Sequence, residues 1–280
     1  MQYVFPIYGF HITKPIVLGS TVIQPRTTDH QTAETWTRDL NTYHLTAVLI
    51  IEGATDQFLI NLEASLTFIE RLDIFIGSGL PFDGNEPFSK FEVSVKTHRR
   101  SDGGGQMIGT DTFFPSSREM FLKKILQKLE DEIFCESTQF KQLFFKCVEQ
   151  FRQRRPFVEV SYFLLFSGLE TFSRSVENDR GKNAASPISR LLIKYGFDIS
   201  EDRPSDLVRA VSTYTHLRNA LFHNGEFIAE ININGVLVEY RLFKYFYNIT
   251  QLTNLVVLKA IAFDDGHTNW DSWVDHQPFQ

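Results

Sequence analysis

Residues 157 to 172 are apolar on nearly every side of a helical wheel, and a helix of that composition is stable only when other elements surround it. This predicts a helical domain built around one central, most buried helix. Pro156 permits a helix to start there, and Glu170 interrupts the apolar run. With 42% hydrophobic residues among 280, the chain can fill one large domain or two ordinary ones. No run of about 18 or more apolar residues occurs, and no basic region leads into an apolar stretch at Met1, so neither a membrane span nor a secretory leader is expected.

The segments around this helix are punctuated as helices too. Ser116 and Glu119 have the spacing of a capping box leading into Met120, Leu122, Ile125, Leu126, Leu129 and Ile133. A second helix is expected from about Thr138 to Arg152, with Phe140, Phe144, Cys147, Val148 and Phe151 on its apolar face. Arg152, Arg154 and Arg155 at its end read either as cations favoured by the helix dipole or as an RNA clamp. Ser186, Pro187 and Gly196 bracket another helix, whose buried side is Ile188, Leu191, Leu192 and Tyr195. Phe227, Ala229, Ile231 and Ile233 alternate with polar residues, meet Asn234-Gly235 and continue through Val236, Val238 and Tyr240, which predicts a hairpin. A last long helix spans Arg241 to Phe263, before a polar tail in which Trp270 and Trp273 dock.

The first hundred residues differ in texture. Tyr3 to Ile12, Ile16 to Ile23, Tyr43 to Ile51 and Phe91 to Thr97 read as strands. A helix starts at Thr55-Asp56, carries Phe58, Leu62, Leu66, Ile69, Leu72 and Phe75, and stops at Gly77. His98 to Gly105 holds Arg99, Arg100 and a triple glycine; it lacks the Gly-Lys-Ser/Thr ending of a phosphate loop and reads as a solvated linker. The expected fold class is α+β: a mixed α/β N-terminal domain over 1–105, then a helical bundle over 106–280 with an inserted β-hairpin.

Chemistry concentrates in Tyr214-Thr215-His216-Leu217-Arg218-Asn219-Ala220-Leu221-Phe222-His223-Asn224-Gly225. A helix capped by Ser205 would run through Leu207, Val211, Tyr214 and Leu221, with Arg218 on the same apolar seam, where a guanidinium calls for a partner. Glu170 is the best placed carboxylate, either as a structural ion pair or as the group that aims Arg218 at phosphate. Asn219 and His223 lie a turn apart on the adjoining face, and Gly225 ends the helix, leaving His223 in its last turn. There the dipole favours the imidazolium and Arg218 opposes it, a balance that suits proton transfer. His216 reads as a surface histidine, and Arg180 and Lys182, in the loop after Glu177, as solvated charges or RNA ligands.

Arg218-Asn219-Ala220-Leu221-Phe222-His223 resembles the motif of the HEPN superfamily, an arginine, a polar residue, a spacer and a histidine, and Leu217 with Asn224-Gly225 looks most like its Apea-like branch. The likeness begins at about Ser116. It implies an all-α helical domain that dimerises, and metal-independent ribonuclease activity in a toxin or antiviral effector. Some HEPN toxins carry a tyrosine two residues after the histidine, the target of a partner's nucleotidylation; Gly225 stands there in this chain.

The expected function is an endoribonuclease in which His223 moves the proton, Arg218 stabilises phosphoryl charge and Asn219 orients the phosphate or the imidazole. The motif helix offers one such histidine, so a homodimer or higher homo-oligomer pairing two copies of the site would supply both a base and an acid. RNA is the expected partner, with a regulatory protein or phage-derived trigger acting on the N-terminal domain, and no membrane. The formal net charge of -6 argues against nonspecific coating of nucleic acid, so any RNA contact must be local. Only Cys135 and Cys147 are present, which fits a reducing cytoplasm rather than a disulfide framework, and the other histidines show no metal-ligand spacing, so no metal or other cofactor is expected. The rival reading is a noncatalytic nucleotide-binding or dimerisation module, or a toxin held inactive by a protein partner.

Overall fold

The computed structural model describes residues 1–98, 100–155, 157–233 and 235–280, so the readings placed on Arg99, Pro156 and Asn234 lie outside the described residues. The fold is α+β, and the chain divides into two compact units. The first comprises Met1–Glu130, Phe151–Arg155 and Asp265–His267; the second comprises Asp131–Gln150, Pro156–Asp264 and Thr268–Gln280.

In the first unit the elements are β1 (Gln2–Tyr8), β2 (Ile16–Leu18), β3 (Thr21–Pro25), α1 (His30–Arg38), β4 (Thr42–Glu52), α2 (Asp56–Glu70), β5 (Phe75–Ile76), β6 (Leu80–Phe82), β7 (Ser94–Lys96) and α3 (Ser117–Glu130). The strands form an antiparallel sheet in the order β2-β3-β4-β1-β5, with β6 also on β1 and β7 also on β4. β1 and β4 are in register from Gln2 opposite Glu52 to Tyr8 opposite Leu45, with an irregularity between Ile7 and Tyr8. Val4, Ile7, Ile23 and Leu49 from the strands and Leu62, Leu66, Phe68 and Ile69 from α2 are fully buried. Phe121 of α3 stacks on Phe68 at 5.5 Å between ring centroids.

Several sequence expectations change here. Ile16 to Ile23 is two strands rather than one, because Gly19 takes a positive φ of 66° and turns the chain. Thr55 caps α2 as its position suggests, but the helix ends at Arg71, whose φ is 53°, and Phe75 begins a strand. Ser116 does not cap α3, since its own φ of 67° is left-handed. The segment expected to be one helix from Met120 to Ile133 is broken by Asp131, which caps a new helix by accepting from Phe134 N.

The expected linker is also structural. Arg100 is 3% exposed; its guanidinium donates to the carbonyls of Thr37, Asp39 and Asp73 at 2.8, 2.7 and 3.0 Å, and lies over the Tyr43 ring at 4.8 Å. It ties three chain segments together and is not available to RNA. A Cβ on Gly103 would stand 2.2 Å from the carbonyl oxygen of Arg71, so this glycine is required by a close backbone approach.

The boundary expected at residue 105 falls after Glu130, because α3 is embedded in the first unit through Arg118. That guanidinium is 0% exposed, 2.6 Å from Glu70, and also donates to the carbonyls of His11, Ile108 and Gly109.

The second unit contains α4 (Glu132–Thr138), most of α5 (Phe140–Arg152), α6 (Val158–Val176), α7 (Ala185–Lys194), α8 (Val211–Asn219), β8 (Ile228–Ile233), β9 (Val236–Arg241), α9 (Leu242–Ala260) and α10 (Ser272–Asp275). α6 packs against α4, α7, α8 and α9, as a central helix should. It is not the most buried one. α9 is buried at every residue from Asn248 to Leu258, whereas α6 exposes Val160 and Phe163. The hairpin pairs Ile228 with Arg241 through to Ile233 with Val236, and its Ala229 and Tyr240 are buried. Trp273 is fully buried, and Lys259 lies 3.6 Å over the ring of Trp270.

Candidate functional site

The motif helix is not one regular cylinder. A short 3-10 turn at Leu207–Arg209 precedes α8, and its cap is Asp206, which accepts from Arg209 N; Ser205 plays no such part. α8 then continues into a π turn at Ala220–Asn224, where the amide of Gly225 reaches back five residues to Ala220 O. Gly225 ends it with a φ of 69°, and Glu226 N donates to Ala220 O at 3.2 Å. Four α steps would carry His223 about 40° past Asn219. The wider π turn stops it short of a full turn, which narrows the helical phase between His223 and Arg218.

Arg218 is half-buried, with its guanidinium carbon 5.7 Å from the centre of Phe166 and 5.8 Å from that of Phe222. Nη1 donates to Asn219 Oδ1 at 2.9 Å and Nη2 reaches Glu170 Oε2 at 3.5 Å. Glu170 does meet Arg218, but more closely it meets Arg174, whose Nε lies 2.9 Å from its other oxygen. One carboxylate therefore serves two cations, and Arg218 keeps donor capacity. Because its Oδ1 is taken, Asn219 has its amide NH₂ to offer, and that group makes no hydrogen bond among the described residues.

His223 is exposed and lines a cleft of about 840 Å³ together with His216 and Asn219, facing a wall made by Glu226, Ile228 and Glu230. The cleft thus gathers an imidazole and an amide, groups that can move a proton and hold a phosphoryl oxygen, while Arg218 and Glu170 do not line it and Arg218 touches it only through Asn219. His216, read as a surface residue from sequence, is instead half-buried and shared between this cleft and a smaller hollow of about 260 Å³ lined by Asp202, Asn232 and Tyr240. Its ring stacks on Tyr240 at 6.3 Å and an interplanar angle of 8°. Burial lowers its pKa below the usual histidine value, with Asp202 opposing. The seven-residue spacing of His216 and His223, nearly two α turns, was the available signal.

Arg180 and Lys182 are exposed in the loop after α6 and line no part of the motif cleft; Arg180 borders a separate hollow with Arg174 and Glu136. Arg152 is paired with Glu63 at 3.1 Å, so the cluster at the end of α5 is in part structural. Cys135 and Cys147 are both buried thiols. Among the described residues no group of three or more His, Cys, Asp or Glu is arranged to hold a metal ion, and no helix is long and apolar enough to cross a membrane. Comparison of the chain with protein-family models, with curated proteins and with solved structures gives no match.

Proposed function

We propose that the chain is a metal-independent endoribonuclease that cuts RNA by attack of a ribose 2′-hydroxyl on the adjacent phosphate, and that it works in the cytoplasm as a toxin or antiviral effector. The observation that carries this is the exposed His223 in one cleft with Asn219, whose amide is oriented by Arg218. In this reading His223 transfers a proton, Asn219 donates to a phosphoryl oxygen, and Arg218 offsets the negative charge that grows there, with Glu170 holding the guanidinium in place.

A homodimer is part of the proposal. Phe157, Val160 and Phe163 form an exposed stripe along α6, 65%, 46% and 47% accessible, and Phe163 meets Phe222 of the motif edge-on at 5.0 Å. An apolar stripe continuous with the motif is suited to a second copy. The N-terminal unit is assigned the sensing of a regulatory protein or phage-derived trigger.

Glu226 and Glu230 favour a second reading. They line the cleft and repel a polyanion, which suits a noncatalytic module binding a small nucleotide or joining subunits, or a toxin silenced by a protein partner. Incubation with single-stranded RNA in excess chelator decides between them. The ribonuclease gives 2′,3′-cyclic phosphate and 5′-hydroxyl ends, a 2′-deoxy nucleotide at the cut blocks it, and His223→Ala abolishes it. Intact RNA from a folded, dimeric wild type would establish the noncatalytic reading.

A further inference from the structure

Transesterification of RNA needs a base for the 2′-hydroxyl and an acid for the departing 5′-oxygen, whereas the motif supplies one histidine. The structure brings a second imidazole to the same cleft from the same chain. His216 and His223 both line it, with Asn219 between them in sequence. Seven residues of helix correspond to a rise of about 10 Å. Both imidazoles open on that cleft, and groups about that far apart along a helix can flank one phosphodiester. His216 is also fixed: it lies parallel to Tyr240, a buried residue of β9, at the point where the motif cleft and the smaller hollow adjoin.

We propose that His216 is the general base and His223 the general acid of one active site, so that each protomer carries a full proton-transfer pair. The inference rests on the ribonuclease reading and specifies how its protons move. The His216 imidazole takes the proton from the 2′-hydroxyl as the 2′-oxygen bonds to phosphorus. The bond from phosphorus to the 5′-oxygen breaks, and His223 delivers its proton to that oxygen. A cyclic phosphate and a 5′-hydroxyl leave, His216 is protonated and His223 neutral, and exchange with water restores both. Burial suits His216 to the neutral state that a base requires, while His223 is exposed at the mouth of the cleft, where a departing 5′-oxygen can reach it. The charged groups around the two hollows are Asp202, Arg203, Glu226 and Glu230.

The test compares wild type, H216A, H216N and H223A as full chains on an RNA dinucleotide and on its analogue with a bridging 5′-sulfur, which departs without protonation. The expected result is that H216A and H216N slow both substrates by ~10²- to 10⁴-fold in kcat with little change in KM, while H223A slows only the oxygen substrate. Added imidazole should restore part of the activity of H216A. Full activity in H216N would reduce His216 to a packing residue and overturn the inference, as would recovery of H216A on the sulfur substrate. Cleavage by wild type, loss in H223A and unaltered rates in both His216 variants would sink the pair and leave the ribonuclease reading standing. A wild type that cuts neither substrate would overturn that reading itself.

Discussion

Each unit contains an arginine that reaches a glutamate on another helix, and the two pairs are opposites. Arg118 and Glu70 in the first unit are both 0% exposed and 2.6 Å apart, and the remaining guanidinium nitrogens are occupied by carbonyls. Glu70 is equally saturated, accepting from His11 N and Gln106 Nε2, each at 3.1 Å, and it too has a second arginine, Arg38, at the longer distance of 3.7 Å. Arg218 and Glu170 in the second unit are 31% and 16% exposed and 3.5 Å apart, and the carboxylate is divided between two arginines. A sealed, saturated pair has nothing left for a ligand and serves structure. A loose, part-exposed pair keeps donors in reserve, which is what a phosphate would require.

The largest effect should come from breaking the sealed pair. Arg118→Ala leaves the fully buried Glu70 with the longer contact to Arg38 at 3.7 Å and is expected to cost ~3 to 5 kcal/mol in urea or thermal unfolding of the full chain, without touching the motif. A cost below about 1 kcal/mol would erase the distinction between the pairs.

Arg218→Ala is expected to change stability by no more than ~1 kcal/mol, because Glu170 retains Arg174 and solvent reaches the pair. The proposed RNA cleavage should nevertheless fall by about 10²- to 10³-fold, the loss typical of a charge-stabilising donor. Unfolding at the scale of Arg118→Ala would instead mark Arg218 as structural.

Glu170→Gln sharpens the contrast from the other side. It keeps the shape but weakens the aim of the guanidinium, so stability should move by a few tenths of a kcal/mol and cleavage by less than in Arg218→Ala. Steady-state kinetics check this, and equal losses in the two variants would mean that Glu170 contacts the reacting groups.

The smallest effect concerns His11, whose backbone amide donates to Glu70 and whose pKa burial lowers from 6.5, with Glu70 opposing. A histidine held neutral in the fold binds protons more readily when unfolded. Its contribution is therefore complete above about pH 6.5 and is lost as the pH falls through the window below it. Thermal midpoints recorded from pH 7 to pH 5 should fall less steeply in His11→Asn than in wild type; parallel curves would refute the coupling.

The sequence was legible where side chains repeat a pattern and opaque where backbone groups do the binding. The hairpin followed from alternation around Val236 to Tyr240, and Thr55 and Gly225 announced a helix start and a helix end. Arg100 was hidden because its partners are the carbonyls of Thr37, Asp39 and Asp73, which carry no residue signature. Arg118 was hidden in the same way, and with it the assignment of α3 to the first unit. In the motif the nearness of Asn219 and His223 was readable from their spacing, but the π winding was not, and the burial of His216, read as a surface histidine, was hidden because its neighbour Tyr240 arrives from a strand after the turn.

That winding makes residue count and helical phase separate coordinates. Five steps from Arg218 to His223 in plain α geometry would leave the two roughly 140° apart around the axis. Unwinding the last steps into a π turn narrows the angle, toward the ~40° that a spacer one residue shorter would give with no unwinding at all. Chains whose arginine and histidine are spaced differently can therefore present the same pair at the same angle. Kinship among such sites is better sought in phase than in spacing.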